Sequence, residues 1–133
     1  MKSRATVVCV RDSAILLVSK PQSRWALPGG RIRTNELPAD AARREVAEET
    51  GVIVDRMVYL FQFRGLSTVH HVFWASLPEG AAPRPGEEIT RCGWFAHADL
   101  VTLPTSVPTR EIVRLALEPH SALAGMCAAS IAG

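Results

Sequence analysis

The chain has 133 residues, 47% of them hydrophobic and 21% charged, with a formal net charge of +2. These values suit one globular domain over residues 1–133 with a single buried core. They exclude a disordered chain, and the weak, scattered charge excludes an electrostatic grip on duplex nucleic acid. No apolar run reaches the length of a membrane span. The run at 5–10 is short and ends at Arg11-Asp12, which does not fit a signal peptide. Cys9, Cys92 and Cys127 are odd in number and form no Cys-x-x-Cys pair, so they read as reduced thiols of a cytoplasmic protein.

Residues 4–10 (RATVVCV) and 14–20 (AILLVSK) are strand-like runs joined by Arg-Asp-Ser, a hairpin signal. A loop follows at 21–24, then a short strand at 25–27. Trp25 there either stacks on a nucleobase or anchors packing. Pro28-Gly29-Gly30 is a turn whose glycines let backbone atoms approach a ligand closely. Arg31 and Arg33 alternate with Ile32 just beyond, either as cations for phosphate oxygens or as solvent-facing side chains.

A helix is predicted from Pro38, which suits the first turn, to Gly51, which suits the position just past the end. At about 100° per residue, Glu45, Glu48 and Glu49 fall on one face of it. Ala39, Ala42 and Val46 form the adjacent apolar stripe that must face a core. Three carboxylates on one face repel one another. Either Arg43 and Arg44 answer them on a solvated surface, or a hard cation such as Mg²⁺ does.

Beyond the helix, residues 52–64 are rich in β-branched and aromatic side chains and read as one or two strands with a break near Asp55-Arg56. A further strand spans 68–77. His70 and His71 are adjacent on it and must point to opposite faces. One of them either faces a substrate cleft or packs while the other is exposed. Residues 78–88 are a Pro- and Gly-rich loop ending in Glu87-Glu88, followed by a strand at 89–95 in which Trp94-Phe95 reads as core. A turn at 97–100 and a helix at 108–117 complete the pattern, with Pro119 stopping the helix. The small, apolar tail at 120–133 either frays, packs as a short helix, or covers a dimer surface. Strands, one central helix, more strands and a last helix suit an α+β or α/β/α sandwich with a mixed sheet.

The spacing Gly30, five residues, Glu36, seven residues, Arg44-Glu45-Val46-x-Glu48-Glu49-x-Gly51-Val52 resembles the Nudix box at every defined position. The resemblance implies a Nudix-type α/β/α sandwich. It implies that Glu45, Glu48 and Glu49 bind Mg²⁺ or Mn²⁺ or activate water, with the Gly29 carbonyl as a backbone ligand. Glu36 and Arg44 would then be structural, along with Gly30 and Gly51. A further acidic residue downstream, Glu88 or Glu87, would be a metal ligand or general base. The implied reaction is Mg²⁺-dependent hydrolysis of a nucleoside diphosphate linked to another group X. The alternatives are a nucleotide-binding regulatory domain that does not cleave, and hydrolysis at the 5′ end of RNA.

Overall fold

The computed structural model describes residues 1–117. Pro119, Cys127 and the tail at 120–133 lie outside the described residues. β1 (Lys2–Arg11) and β2 (Ala14–Ser19) form the expected hairpin. Asp12 and Ser13 turn it with φ of 50° and 66°. Two consecutive left-handed residues match the twist of the flanking strands in a tight hairpin.

The other elements are β3 (Gly29–Arg31), α1 (Pro38–Thr50), β4 (Arg56–Arg64), β5 (Thr68–Ser76), β6 (Arg91–Ala96), a 3₁₀ turn (His97–Val101) and α2 (Val107–Ala116). The sheet runs β4-β5-β1-β2-β6, with β3 pairing β1 off that path. β1 and β5 are parallel and the other pairs antiparallel, so the sheet is mixed. The fold is α+β, as the element order predicted.

The alternation of β1 divides the core. Ala5, Val7 and Cys9 face α1 and meet Ala42 and Val46, while Val8 joins Ile15, Leu17, Ile112 and Val113 on the α2 side. The sheet is thus sandwiched between two helices. Trp94 and Phe95 are both half-buried, and as neighbours on β6 they pack against opposite clusters.

Four expectations are corrected. Gly29 and Gly30 are not in a turn but begin β3, paired with Thr6 and Ala5. Residues 25–27 are not a strand: Ala26 bridges Val18 and Trp25 bridges Thr105 as isolated pairs. Pro28 has no amide to continue a ladder, and pairing resumes at Gly29. Residues 52–55 are also outside the sheet, which begins at Arg56 after the anticipated break. Ala39 is exposed, and the buried side of α1 is Ala41, Ala42, Val46, Glu49 and Thr50. Ala39 lies in the first turn, and Glu49 falls on the buried side itself.

Candidate active site

β3 and α1 build the site together. β3 lies antiparallel to β1, with Gly29 opposite Thr6, Gly30 opposite Ala5 and Arg31 opposite Arg4. Gly29 has φ +155°, and a Cβ on it would collide with the Ala5 carbonyl oxygen. A Cβ on Gly30 would occupy the space of the Glu45 carboxylate. Gly30 therefore lets α1 lay its acidic face on the backbone of β3, while Gly29 lets β3 lie close against β1.

α1 ends as its sequence predicted. Gly51 takes the left-handed conformation (φ 73°), and its amide donates to the Ala47 carbonyl. The remaining carbonyls of the last turn are met from outside. Glu87, Gly86 and Arg84 donate backbone amides to Glu48, Glu49 and Thr50, at 3.0, 2.9 and 2.9 Å. Gly86 permits this, because a Cβ there would strike the Glu48 carbonyl. The loop is thereby clamped to the helix end, and Glu87 and Glu88 line the same cleft as Glu45, Glu48 and Glu49. Glu88 itself is left-handed, with φ 58°.

Arg44 braces the acidic face. It donates to both carboxylate oxygens of Glu36 at 2.8 and 2.9 Å, to Glu45 at 2.8 Å and to Glu48 at 3.3 Å. It also donates to the Arg31 carbonyl. Those hydrogen bonds, and that of the Arg33 amide, hold the Glu36 carboxyl down at about 2. The carboxylates in turn push the Arg44 pKa upward. Arg43, the other cation considered for this face, instead donates to the Val54 carbonyl.

Glu49 is different. It is 6% exposed, and burial pushes its carboxyl up to about 7, against the opposing hydrogen bond from the Gly29 amide at 2.9 Å. Glu45 nearby adds to the rise.

The cleft, of about 610 Å³, has an acidic floor and a basic rim. Arg31 and Arg33 are on the rim, and Arg33 reaches Glu48 at 3.8 Å. Lys2, Arg4 and Lys20 join them. The sequence reading missed these three. Arg4 donates to the Gly29 carbonyl at 3.1 Å, yet only the β1–β3 register brings it there. Gly86 was missed as well, its one signal being the Pro-Gly pair of the loop.

Trp25 does not line this cleft. It is buried, with Phe95 edge-on at 4.8 Å and the Arg91 guanidinium over its ring at 4.5 Å. It is placed as a packing anchor, one of the two roles considered. His70 and His71 diverge as predicted: His70 is buried and His71 is half-buried beside Tyr59.

The donor set suits a hard cation: three carboxylates and a backbone carbonyl, all oxygen. Among the described residues, however, no three acidic, histidine or cysteine side chains converge as a ready-made metal shell. Arg44 holds Glu45 and Glu48, and the Gly29 amide holds Glu49.

A mixed sheet between two helices, with an acidic helix laid on a two-glycine strand, defines an α+β domain with an acidic cleft. A family model described as NUDIX domain matches residues 1–116, and the chain belongs to that family of hydrolases. It is 31% identical over 100 residues to a Bacillus subtilis (strain 168) protein provisionally named 8-oxo-dGTP diphosphatase, covering 72% of this chain and 67% of that one. It is 31% identical over 96 residues to the 8-oxo-dGDP phosphatase of Mus musculus, covering 68% and 28%. The chain therefore spans less than a third of the length of that relative. A solved structure of a provisionally assigned nudix hydrolase family member from Chromobacterium violaceum superimposes with a TM-score of 0.83 at 28% identity, covering 99% of this chain and 89% of that one. Among the described residues no helix is long and apolar enough to cross a membrane.

Proposed function

We propose that residues 1–133 form one Nudix domain that hydrolyses a nucleoside diphosphate linked to a group X, with Mg²⁺ or Mn²⁺ bound in the acidic cleft. The observation that carries this reading is the pairing of an acidic floor, Glu45, Glu48 and Glu49, with a rim of cations in one cleft. A floor of carboxylates alone would repel a polyphosphate. A rim of cations alone would bind one without reason for the acidic floor.

Glu45, Glu48, Glu49 and the Gly29 carbonyl would hold the cation, with Glu88 as a further ligand. When bound, it supplies Lewis acidity and neutralises phosphate charge. Arg31, Arg33 and Lys20 bind the phosphate oxygens and fix the anhydride over the floor. Water attacks phosphorus, and its proton passes to a carboxylate, Glu45 or Glu88. The P–O bond to the bridging oxygen breaks, giving a nucleotide and phosphorylated X. Arg44 and Glu36 keep the acidic face in place throughout.

The names of the Bacillus and mouse relatives make nucleotides of oxidised guanine the first substrates to test. The free thiols Cys9 and Cys92 fit a reducing compartment such as the cytoplasm. A screen with Mg²⁺ or Mn²⁺, in which the nucleotide products are separated and measured by chromatography, tests the reading. The panel holds 8-oxo-dGTP, ordinary nucleoside triphosphates, ADP-ribose, nucleotide sugars, dinucleoside polyphosphates and 5′-triphosphate RNA. Metal-dependent cleavage of a nucleotide is expected. Silence across the panel would overturn it.

A further inference from the structure

A second chamber, of about 380 Å³, opens beside the acidic cleft. Arg4, Lys20 and Glu49 line both, so the two spaces adjoin. A ligand with its phosphates over the acidic floor can extend its remaining part into this chamber.

The chamber is graded in polarity. Lys20 and Arg24 on its wall are exposed, and Arg4 is committed to the Gly29 carbonyl. Thr6, Leu27, His70, Thr109 and Ile112 are all buried. Among the described residues the deep end therefore carries hydroxyl, aliphatic and imidazole groups and no carboxylate or fixed cation besides the shared Arg4 and Glu49. Such a surface rejects a phosphate and accepts an uncharged, partly apolar group.

One polar ring stands in that surface. His70 Nδ1 is hydrogen-bonded to Thr6 Oγ1 at 2.8 Å, and the edge of Phe63 packs against the ring with centroids 5.9 Å apart. No hydrogen bond engages Nε2 among the described residues. Burial, assisted by Arg4, holds the imidazole down at about 4, so it is neutral near pH 7. A neutral imidazole fixed through one nitrogen offers the other as a single directed hydrogen-bonding atom.

We propose that this chamber takes the nucleobase of the substrate and that His70, oriented by Thr6, hydrogen-bonds it and sets base preference. The proposal rests on the acidic cleft as the phosphate site. Trp25 is withdrawn into the core, and among the described residues no tryptophan, tyrosine or phenylalanine lines the chamber. Discrimination must then come from this hydrogen bond and from shape, not from aromatic stacking.

The test is a calorimetric titration without turnover. Nucleoside monophosphates carrying guanine, 8-oxoguanine, adenine, cytosine and thymine, which have no anhydride to cleave, are titrated in Mg²⁺, beside ribose 5-phosphate as the base-free probe. Wild type should bind at least one base-bearing ligand ten-fold or more tighter than ribose 5-phosphate. His70→Phe should abolish that margin while leaving ribose 5-phosphate binding unchanged, and His70→Gln should restore part of it. Thr6→Val, which keeps the ring and frees Nδ1, should narrow the margin and serves if His70→Phe does not fold. Equal binding of base-bearing and base-free ligands by wild type would overturn the proposal. So would a margin unchanged in His70→Phe, or in Thr6→Val where that variant serves. Failure of the hydrolysis screen would leave this binding margin in place, so the two claims fail separately.

Discussion

Gly30 and Glu45 share one space: the carboxylate of the helix residue occupies the volume that any side chain at the strand residue would fill. Gly30→Ala should displace the end of the flexible Glu45 side chain and leave the backbone in place. Hydrolysis should fall by about 100-fold, as expected for misplacement of an active-site group by around an ångström, with little change in melting temperature. Gly29→Ala should behave otherwise, because its Cβ meets the backbone of Ala5. It should destabilise the fold by about 3 kcal/mol. Paired denaturation and rate measurements separate the two effects. Equal loss of stability in both variants would contradict this division.

Gly86 is a structural clamp for the carboxylates that follow it. Gly86→Ala should push the loop from the end of α1 and break the amide bonds to Glu48 and Glu49. A loss of about 1–3 kcal/mol is expected from buried backbone groups left unpaired, and activity should fall with it. Unchanged urea denaturation would show that the loop is not fastened there.

Arg44 reaches three carboxylates because a guanidinium is planar and forked. Arg44→Lys retains the charge but cannot hold both oxygens of Glu36 while reaching Glu45. Hydrolysis should drop about ten-fold, and hydrogen exchange along α1 should quicken. Wild-type kinetics in this variant would mean that charge alone suffices.

Two buried groups give opposite pH dependences of stability. The Glu49 carboxyl is raised from 4.5 to about 7. Its contribution is present below its unfolded value and is lost as pH rises through about 7 in metal-free protein. His70 is lowered from 6.5 to about 4. Its contribution is present above its unfolded value and is lost as pH falls through that window to about 4. Each slope is bounded at about 1.4 kcal/mol per pH unit. Urea denaturation in EDTA from pH 4 to 8 should show Glu49→Gln removing the decline toward pH 7 and His70→Asn removing the decline toward pH 4. Parallel curves for all three proteins would contradict both assignments.

Much of this arrangement was legible in the sequence, for local reasons. Pro38 and Gly51 mark α1 because backbone dihedrals impose them, and the spacing of Glu45, Glu48 and Glu49 fixes a common face whatever surrounds it. His70 and His71 had to diverge because strand side chains alternate. Register and approach were not legible. Arg4 reaches Gly29 only because β1 pairs with β3, and Gly86 matters only because its loop meets the end of α1. Glu49 read as one of three similar acids, yet burial sets it apart. Trp25 left two roles open, and only the distant partners Phe95 and Arg91 show which packing it has.

The most direct test of the acidic cleft as a hydrolytic site compares wild type with Glu48→Gln on the substrate found by the screen, across a Mg²⁺ titration. Glu48 is half-exposed on α1 and its amide analogue fits the same space. The account predicts that turnover falls by about 1,000-fold, on the scale of removing a principal electrostatic contributor, while melting temperature without metal holds and the Mg²⁺ required rises. Wild-type turnover in Glu48→Gln, with unchanged Mg²⁺ dependence, would contradict it.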